Sequence, residues 1–267
     1  MTLIFAAHAA DETFGGLPRP QHRNPETTAE ILHNPGFLVG YSEFRKQPLW
    51  VAYQARDVRR LKLPPRPARF ETDRRTHAHV TTYDYNGTHY DRGHLAPNYL
   101  IGKLYGAKAQ QATFLMSNVS PQTGRLNKLV WQRLEEAEAD VVAPDAEQLW
   151  VIAGPLFGDH PHTFRKSHIA IPEAFFRIWL EWRGDGAHAL AFIVPQKVCG
   201  TEPLSEFIVP VDEIEKRSGL DFFSDLPDRE EEAMERSTDT THWHLDRFDD
   251  TPPRYAKDFA PLKCPAH

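Results

Sequence analysis

The string Tyr90-Asp91-Arg92-Gly93-His94-Leu95-Ala96-Pro97-Asn98 sets a carboxylate, a guanidinium and an imidazole within four consecutive positions. An imidazole titrates near neutrality, so His94 can take a proton from water, although a lone histidine is more often a hydrogen-bonded structural group than a base. Gly93 would permit sharp backbone geometry between bulky side chains. A second polar string, Ser117-Asn118-Val119-Ser120-Pro121-Gln122, leads to Asn127 and then Glu135. Asn127 stands at an expected helix start, where its amide could cap the first turn or place its oxygen on a cation. Asn127 and Glu135 are separated by roughly 12 Å along an α-helix and about 80° around it, so both should not bind one small ion directly. Glu135 is left to act through water or to organise a neighbour. A single amide ligand points to a hard, mostly hydrated cation such as Mg²⁺. Zinc fits poorly, because the 14 histidines, among them His77, His79, His242 and His244, show no combined Cys and His spacing of the structural kind.

These groups need elements to hold them. Val130, Leu134, Ala137 and Val141 recur at helical spacing, Trp131 flanks the stripe, and Pro144 ends it, which predicts an amphipathic helix over residues 126–141. Leu134 and Trp131 should be buried. Strands are expected over 49–55, 149–156, 175–182 and 188–194, with a short one at 76–83. Asn86-Gly87 marks a turn just before the His94 string. The stretch 110–116 reads as a strand or a helix end, 56–69 as a basic, proline-broken loop, and 211–218 as a helix closed by Gly219. Residues 1–40, rich in Gly, Pro, Asn and His, read as an N-terminal arm with few hydrogen bonds. No linker and no repeat divides the remainder, so one mixed α+β domain is the simplest account.

The chain has 267 residues, 40% of them hydrophobic and 25% charged, enough for a substantial core without staples. Its net charge of −6 hides an asymmetry: residues 45–133 carry 16 Lys and Arg against 5 Asp and Glu, a balance of +11 that leaves −17 elsewhere. A basic surface inside an acidic protein suits a polyanion. No apolar run approaches the roughly 18 to 20 residues of a membrane span. The opening MTLIFAAHAA resembles the end of a secretory signal, with Ala7 and Ala9 flanking His8, but it lacks a basic start. Two cysteines, Cys199 and Cys264, allow one intrachain disulfide or two thiols.

DRGHLAP at 91–97, SNVSPQ at 117–122, LNKLVWQRLE at 126–135 and VDEIEKRSGLDFFSDLP at 211–227, in this order, resemble the DNA/RNA non-specific endonucleases. That family includes secreted bacterial nucleases and mitochondrial endonuclease G. The resemblance implies a central antiparallel sheet flanked by helices, with a ββα-metal active site made from a hairpin and the helix after it. It places a nuclease domain at 41–240 and an extension packed on it at 241–267. It makes His94 the general base, Asn127 the protein ligand of Mg²⁺ (for which Mn²⁺ can substitute), Glu135 a supporting carboxylate, and Arg92 and Asn118 residues that shape the site or steady the phosphate. A family arginine preceding an aromatic-x-x-Asp string falls on Arg66 or Arg69, before Phe70. Some secreted relatives have an arginine where this chain has Ala139, which leaves Arg125 and Arg133 as candidate phosphate clamps. The implied activity is metal-dependent hydrolysis of DNA and RNA without sequence specificity, giving 5'-phosphate ends. The competing readings are a nucleic-acid-binding module without catalysis and a phosphodiesterase of small or lipid substrates. The implied compartment is periplasmic or secreted, with Cys199 bonded to Cys264, and the cytoplasm stays open. A homodimer and an inhibitor protein are open as partners.

Overall fold

The structure is a computed structural model and describes residues 13–184 and 186–259. In chain order the strands and helices begin with β1 (Arg19–Pro20), β2 (Glu30–Asn34), β3 (Phe37–Ser42) and β4 (Gln47–Ala55). Then come β5 (Asp91–His94), α1 (Asn98–Thr113) and β6 (Val119–Gln122). A long helix follows in which π-helical turns, Leu126–Trp131 and Glu138–Val142, alternate with α2 (Gln132–Ala137) and α3 (Ala143–Asp145). The rest of the fold is β7 (Gln148–Leu156), β8 (Ala174–Arg183), β9 (Gly186–Pro195), β10 (Ile208–Val209), α4 (Val211–Ser218), β11 (Leu220–Asp221) and α5 (Asp228–Glu235).

Seven strands form one sheet in the order β10-β9-β8-β7-β4-β3-β2, and every neighbouring pair is antiparallel. Because side chains alternate along a strand, each strand feeds two cores. Val51 and Tyr53 of β4, Val151 of β7, Phe175 and Trp179 of β8, and Phe192 of β9 pack under the long helix, against Leu126, Val130, Trp131 and Leu134. Trp50, Ala52, Ile152, Phe176, Ile178 and Ile193 turn the other way, toward Val211 and Ile214 of α4 and Met234 of α5. Both faces are dry, so the strands read in sequence as apolar runs rather than alternating ones.

The four expected long strands and the helix at 126–141 are present, and Gly219 ends α4 in the left-handed conformation, φ 68°. The turn at Asn86-Gly87 forms, with Gly87 at φ 74° and Thr88 N–H donating to the Tyr85 carbonyl. Residues 110–113 are a helix end. Other expectations need correction. Residues 76–83 form no strand; a 3₁₀ turn over Thr82–Tyr85 stands there, with Thr81 and Asp84 bonding each other across its start. The expected arm is not one throughout: β2 and the start of β3, within residues 30–40, are hydrogen-bonded strands of the main sheet. Helix α1 escaped notice because Gly102 and Gly106 interrupt its pattern, and Gly106, at φ 82°, joins two shorter helical pieces. Ala7, His8 and Ala9 lie outside the described residues, as does Cys264. Among the described residues no helix is long and apolar enough to cross a membrane.

Leu134 is fully buried at the centre of the core under the long helix. Leu134→Ala should cost about 2 to 5 kcal/mol. A denaturant melt checks this, and an unchanged midpoint would show that the helix does not depend on this contact.

Candidate active site

β5 and β6 pair antiparallel, with Asp91 opposite Gln122, Gly93 opposite Ser120 and His94 opposite Val119. They are not a tight hairpin, because α1 lies in the connection between them. Asn118 holds that connection closed: its Oδ1 accepts from the Ala96 N–H at 2.9 Å, and its Nδ2 donates to the carbonyls of Ala96 at 3.0 Å and Thr113 at 2.9 Å. Gly93 is there for close approach rather than for a sharp turn. It is extended, and a Cβ would lie 2.0 Å from Gln122 Oε1. Downstream, the Thr123 N–H and hydroxyl both bond Gln196, whose amide donates to the Pro121 carbonyl, so the end of β6 is tied to the end of β9.

Thr123 accepts the Asn127 N–H, so the helix has already begun where Asn127 stands and its side chain caps nothing. Instead its Nδ2 donates to Asp91 Oδ2 at 3.0 Å, and Lys128 reaches the same carboxylate at 3.1 Å. This fixes the amide, and among the described residues its Oδ1 has no hydrogen-bond donor. The π-helical turn over Leu126–Trp131 also matters. With more residues per turn, each residue rotates less, and the total from Asn127 to Glu135 falls from about 800° toward two full turns. The two side chains therefore come onto nearly one face.

A groove of about 660 Å³ gathers the outcome, lined by His94, Arg92, Asn127, Glu135, Arg66 and Lys128 among others. The His94 ring packs against both Phe70, at 5.0 Å, and Phe114, at 4.9 Å, which also touch each other, and its Nε2 has no hydrogen-bond partner. Burial, with the Arg66 charge adding, pushes the His94 pKa down to about 3, so the imidazole is neutral at physiological pH. The His94 carbonyl accepts from the Trp131 indole N–H at 3.2 Å, which joins the strand to the helix. Arg92 lies over the Phe70 ring and Arg66 over Phe114.

Glu135 faces the groove above a buried ionic network. Arg177 and Glu138 are ion-paired and both fully buried; Tyr53 donates to Glu138 Oε1 at 2.8 Å and Trp179 Nε1 donates to Oε2 at 3.0 Å. Arg177 lies 4.5 Å over the Trp131 ring and 3.7 Å from Glu135 Oε1. Burial opposes its charge, but Tyr53, Glu138 and Glu135 outweigh that and hold its pKa above the ordinary value. Burial pushes Glu135 up to about 8, against the pull of Arg177 and with Glu138 and Glu136 adding to the rise.

The groove thus takes in four of the five expected site residues. Asn118 is fully buried, outside the groove lining, and bonded only to backbone, so it positions the strand rather than touching a substrate. Arg66 lines the groove and Arg69 does not. Arg133 cannot clamp phosphate, because it is buried and donates to the carbonyls of Glu202 and Asp249. Arg125 donates to the Cys199 carbonyl and lies over the Phe259 ring. Sequence reading gives Asp91 no role of its own and passes over Lys128 and Arg177. Arg177 had a signal: a guanidinium inside FFRIWLEW is a charge in a core strand, which demands a buried partner. It also passed over Arg254, Tyr255 and Asp258, which reach the groove from the C-terminal extension and had no local signal.

An unpartnered, fixed amide oxygen in a groove fits one inner-sphere contact to a hard, hydrated cation. A separate acidic cluster, Asp212, Glu215 and Glu235, brings one carboxylate oxygen from each within 4.8 Å of the others and could also coordinate a divalent metal. It belongs to α4 and α5, across the sheet from the groove.

A central antiparallel sheet whose flanking strand pair and following helix converge on one groove is a ββα nuclease architecture. Residues 16–229 match the family described as DNA/RNA non-specific endonuclease. Human mitochondrial endonuclease G is 31% identical over 213 residues, 74% of this chain and 71% of that protein. The nuclease of Serratia marcescens is 29% identical over 241 residues, 85% of this chain and 88% of that protein. In a solved EndoG/EndoGI complex, the matched chain superposes with a TM-score of 0.68 at 23% identity, covering 75% of this chain and 88% of that one. The chain belongs to the DNA/RNA non-specific endonuclease family.

Two stability measurements test the network. Arg177→Met strands Glu138 without its cation and should cost about 3 to 5 kcal/mol, most of it recovered by adding Glu138→Gln. Equal melts for the single and double variants would deny the pairing. Glu135 carries a folded pKa above its unfolded value, so its own contribution to stability is lost as pH rises from about 4.5 to about 8. Glu135→Gln, in metal-free buffer, should therefore gain on the wild type in melting temperature across that window, and a pH-independent gap would contradict the assignment.

Proposed function

We propose that this chain is a metal-dependent endonuclease that hydrolyses the phosphodiester bonds of DNA and RNA alike, leaving 5'-phosphate and 3'-hydroxyl ends. The observation that carries the reading is the convergence of His94, Asn127, Glu135, Arg66 and Arg92 on one groove. His94, neutral at working pH, can accept the proton of an attacking water, and a bound diester anion would raise its basicity by direct Coulomb attraction. Arg66 and Arg92, braced on Phe114 and Phe70 respectively, offer guanidinium groups to phosphate oxygens. Contacts of this kind do not read bases, which suits cleavage without sequence specificity. Asn127 would hold Mg²⁺, with Mn²⁺ able to substitute, and the ion when bound offsets negative charge on the diester. Asp91 keeps the Asn127 amide oriented, and Glu135 orders water beside it.

Cys199 and Cys264 form one disulfide in this reading, and the compartment is the periplasm or the exterior. Among the described residues no cysteine is free. A protein inhibitor is the further partner class in this reading, as in the solved EndoG/EndoGI complex.

Digestion of plasmid DNA and of RNA, with Mg²⁺ and with excess chelator, tests the proposal. His94→Ala should lower cleavage by about 10²- to 10⁴-fold with binding retained. Asn127→Ala should raise the Mg²⁺ concentration needed, and cleavage should fall steeply with added salt. Full activity in chelator would remove the metal from the mechanism; wild-type protein that binds plasmid but never cuts it, in any divalent metal, would refute the nuclease reading.

A further inference from the structure

We propose that Asp212, Glu215 and Glu235 form a second divalent-cation site, suited to Ca²⁺, that clamps α4 to α5 on the sheet face opposite the catalytic groove. The three carboxylates each offer an oxygen, all within 4.8 Å of one another. Ca²⁺ holds oxygens at about 2.3 to 2.6 Å, so ligands on opposite sides of it stand about 5 Å apart. Mg²⁺ keeps several of its waters and takes one or two protein carboxylates, so a set of three suits the larger and more flexible Ca²⁺ shell.

The second observation concerns Glu235 itself. Its residue is only 6% exposed, yet Oε1 is buried without a hydrogen-bond partner while the carboxylate faces Asp212 and Glu215. A buried, unpaired carboxylate is costly, and neighbouring like charges raise that cost. Glu235 is also the last residue of α5, where the negative end of the helix dipole disfavours an anion further. Asp221 and Glu231 add to the negative field around Glu215.

The available cations do not resolve this. Arg236 approaches Asp212 only to 3.9 Å, is largely exposed, and bonds Glu232 at 3.1 Å instead. Glu215 spends one oxygen on the Phe222 N–H at 2.7 Å and keeps the other. A bound Ca²⁺ would answer all three carboxylates at once, with water completing its shell, and would join two helices of only eight residues each. Short helices depend on tertiary contacts for their stability, so such a clamp has a structural purpose. The donor set differs in kind from the single neutral amide of Asn127.

The test uses the full chain and Ca²⁺ alone as the probe, read by equilibrium dialysis and by melting temperature. Wild type and Asn127→Ala should each retain a tightly bound Ca²⁺ and melt about 5 °C higher at saturation. Asp212→Asn combined with Glu235→Gln should lose both the ion and the rise, while cleaving plasmid in Mg²⁺ as the wild type does. If the double variant does not melt cooperatively, Glu235→Gln alone gives the same readout. A Ca²⁺-dependent rise that survives these substitutions, or its absence from Asn127→Ala, overturns the proposal.

Discussion

Arg177 sits on β8 with no access to solvent, and its charge has to be answered from the layer above it. Glu138 does so from the long helix, with Tyr53 and Trp179 filling the remaining bonds of that carboxylate. A buried ion pair is seldom worth more than a well-packed apolar pair, but it tolerates few alternative arrangements, since any slip leaves a charge unpaired. Here it sets both the rotation and the height of the helix on the sheet. From that single placement Glu135 faces the groove one turn earlier, and Trp131 comes to lie on the Arg177 guanidinium with its N–H on the His94 carbonyl. His94 and Glu135 are thereby both referred to one buried cation.

The strand that carries His94 is short and gains little from its own four residues. Its position comes from neighbours: Asn118 bonding three backbone groups, Gln122 packed where Gly93 has no side chain, and Gln196 pinning the start of the helix. Asn118 and Gln196 are polar side chains spent on backbone, which explains why a residue such as Asn118 can look catalytic in sequence while its bonds serve to shape the site. Asp91 plays the complementary part nearer the surface, holding the Asn127 amide by its Nδ2.

Much of this was legible from residue order. The long strands and the helix over 126–141 announce themselves by apolar spacing, because burial on a regular element imposes a period. The strings around His94 and Asn127 were visible because unlike polar groups rarely crowd together without purpose. The edge strands 30–34 and 37–42 were hidden by turn-forming neighbours, and α1 by its two glycines. Arg133 stands as a candidate phosphate contact in the sequence because sequence does not reveal that its guanidinium is spent on two carbonyls within the fold.

By itself the sequence determined which chemical groups exist, the periods of the elements that carry them, and the family to which their order belongs. Only the tertiary structure decided that Asn127 and Glu135 share a face, since a π-helical turn, not composition, alters the rotation between them. It likewise placed Arg66 rather than Arg69 on the groove, kept Arg133 out of it and brought in the C-terminal Arg254. Local sequence encodes conformation through short-range sterics and periodicity. Which distant groups face one another depends on how two cores pack against a single sheet, and that emerges only when the whole chain has closed.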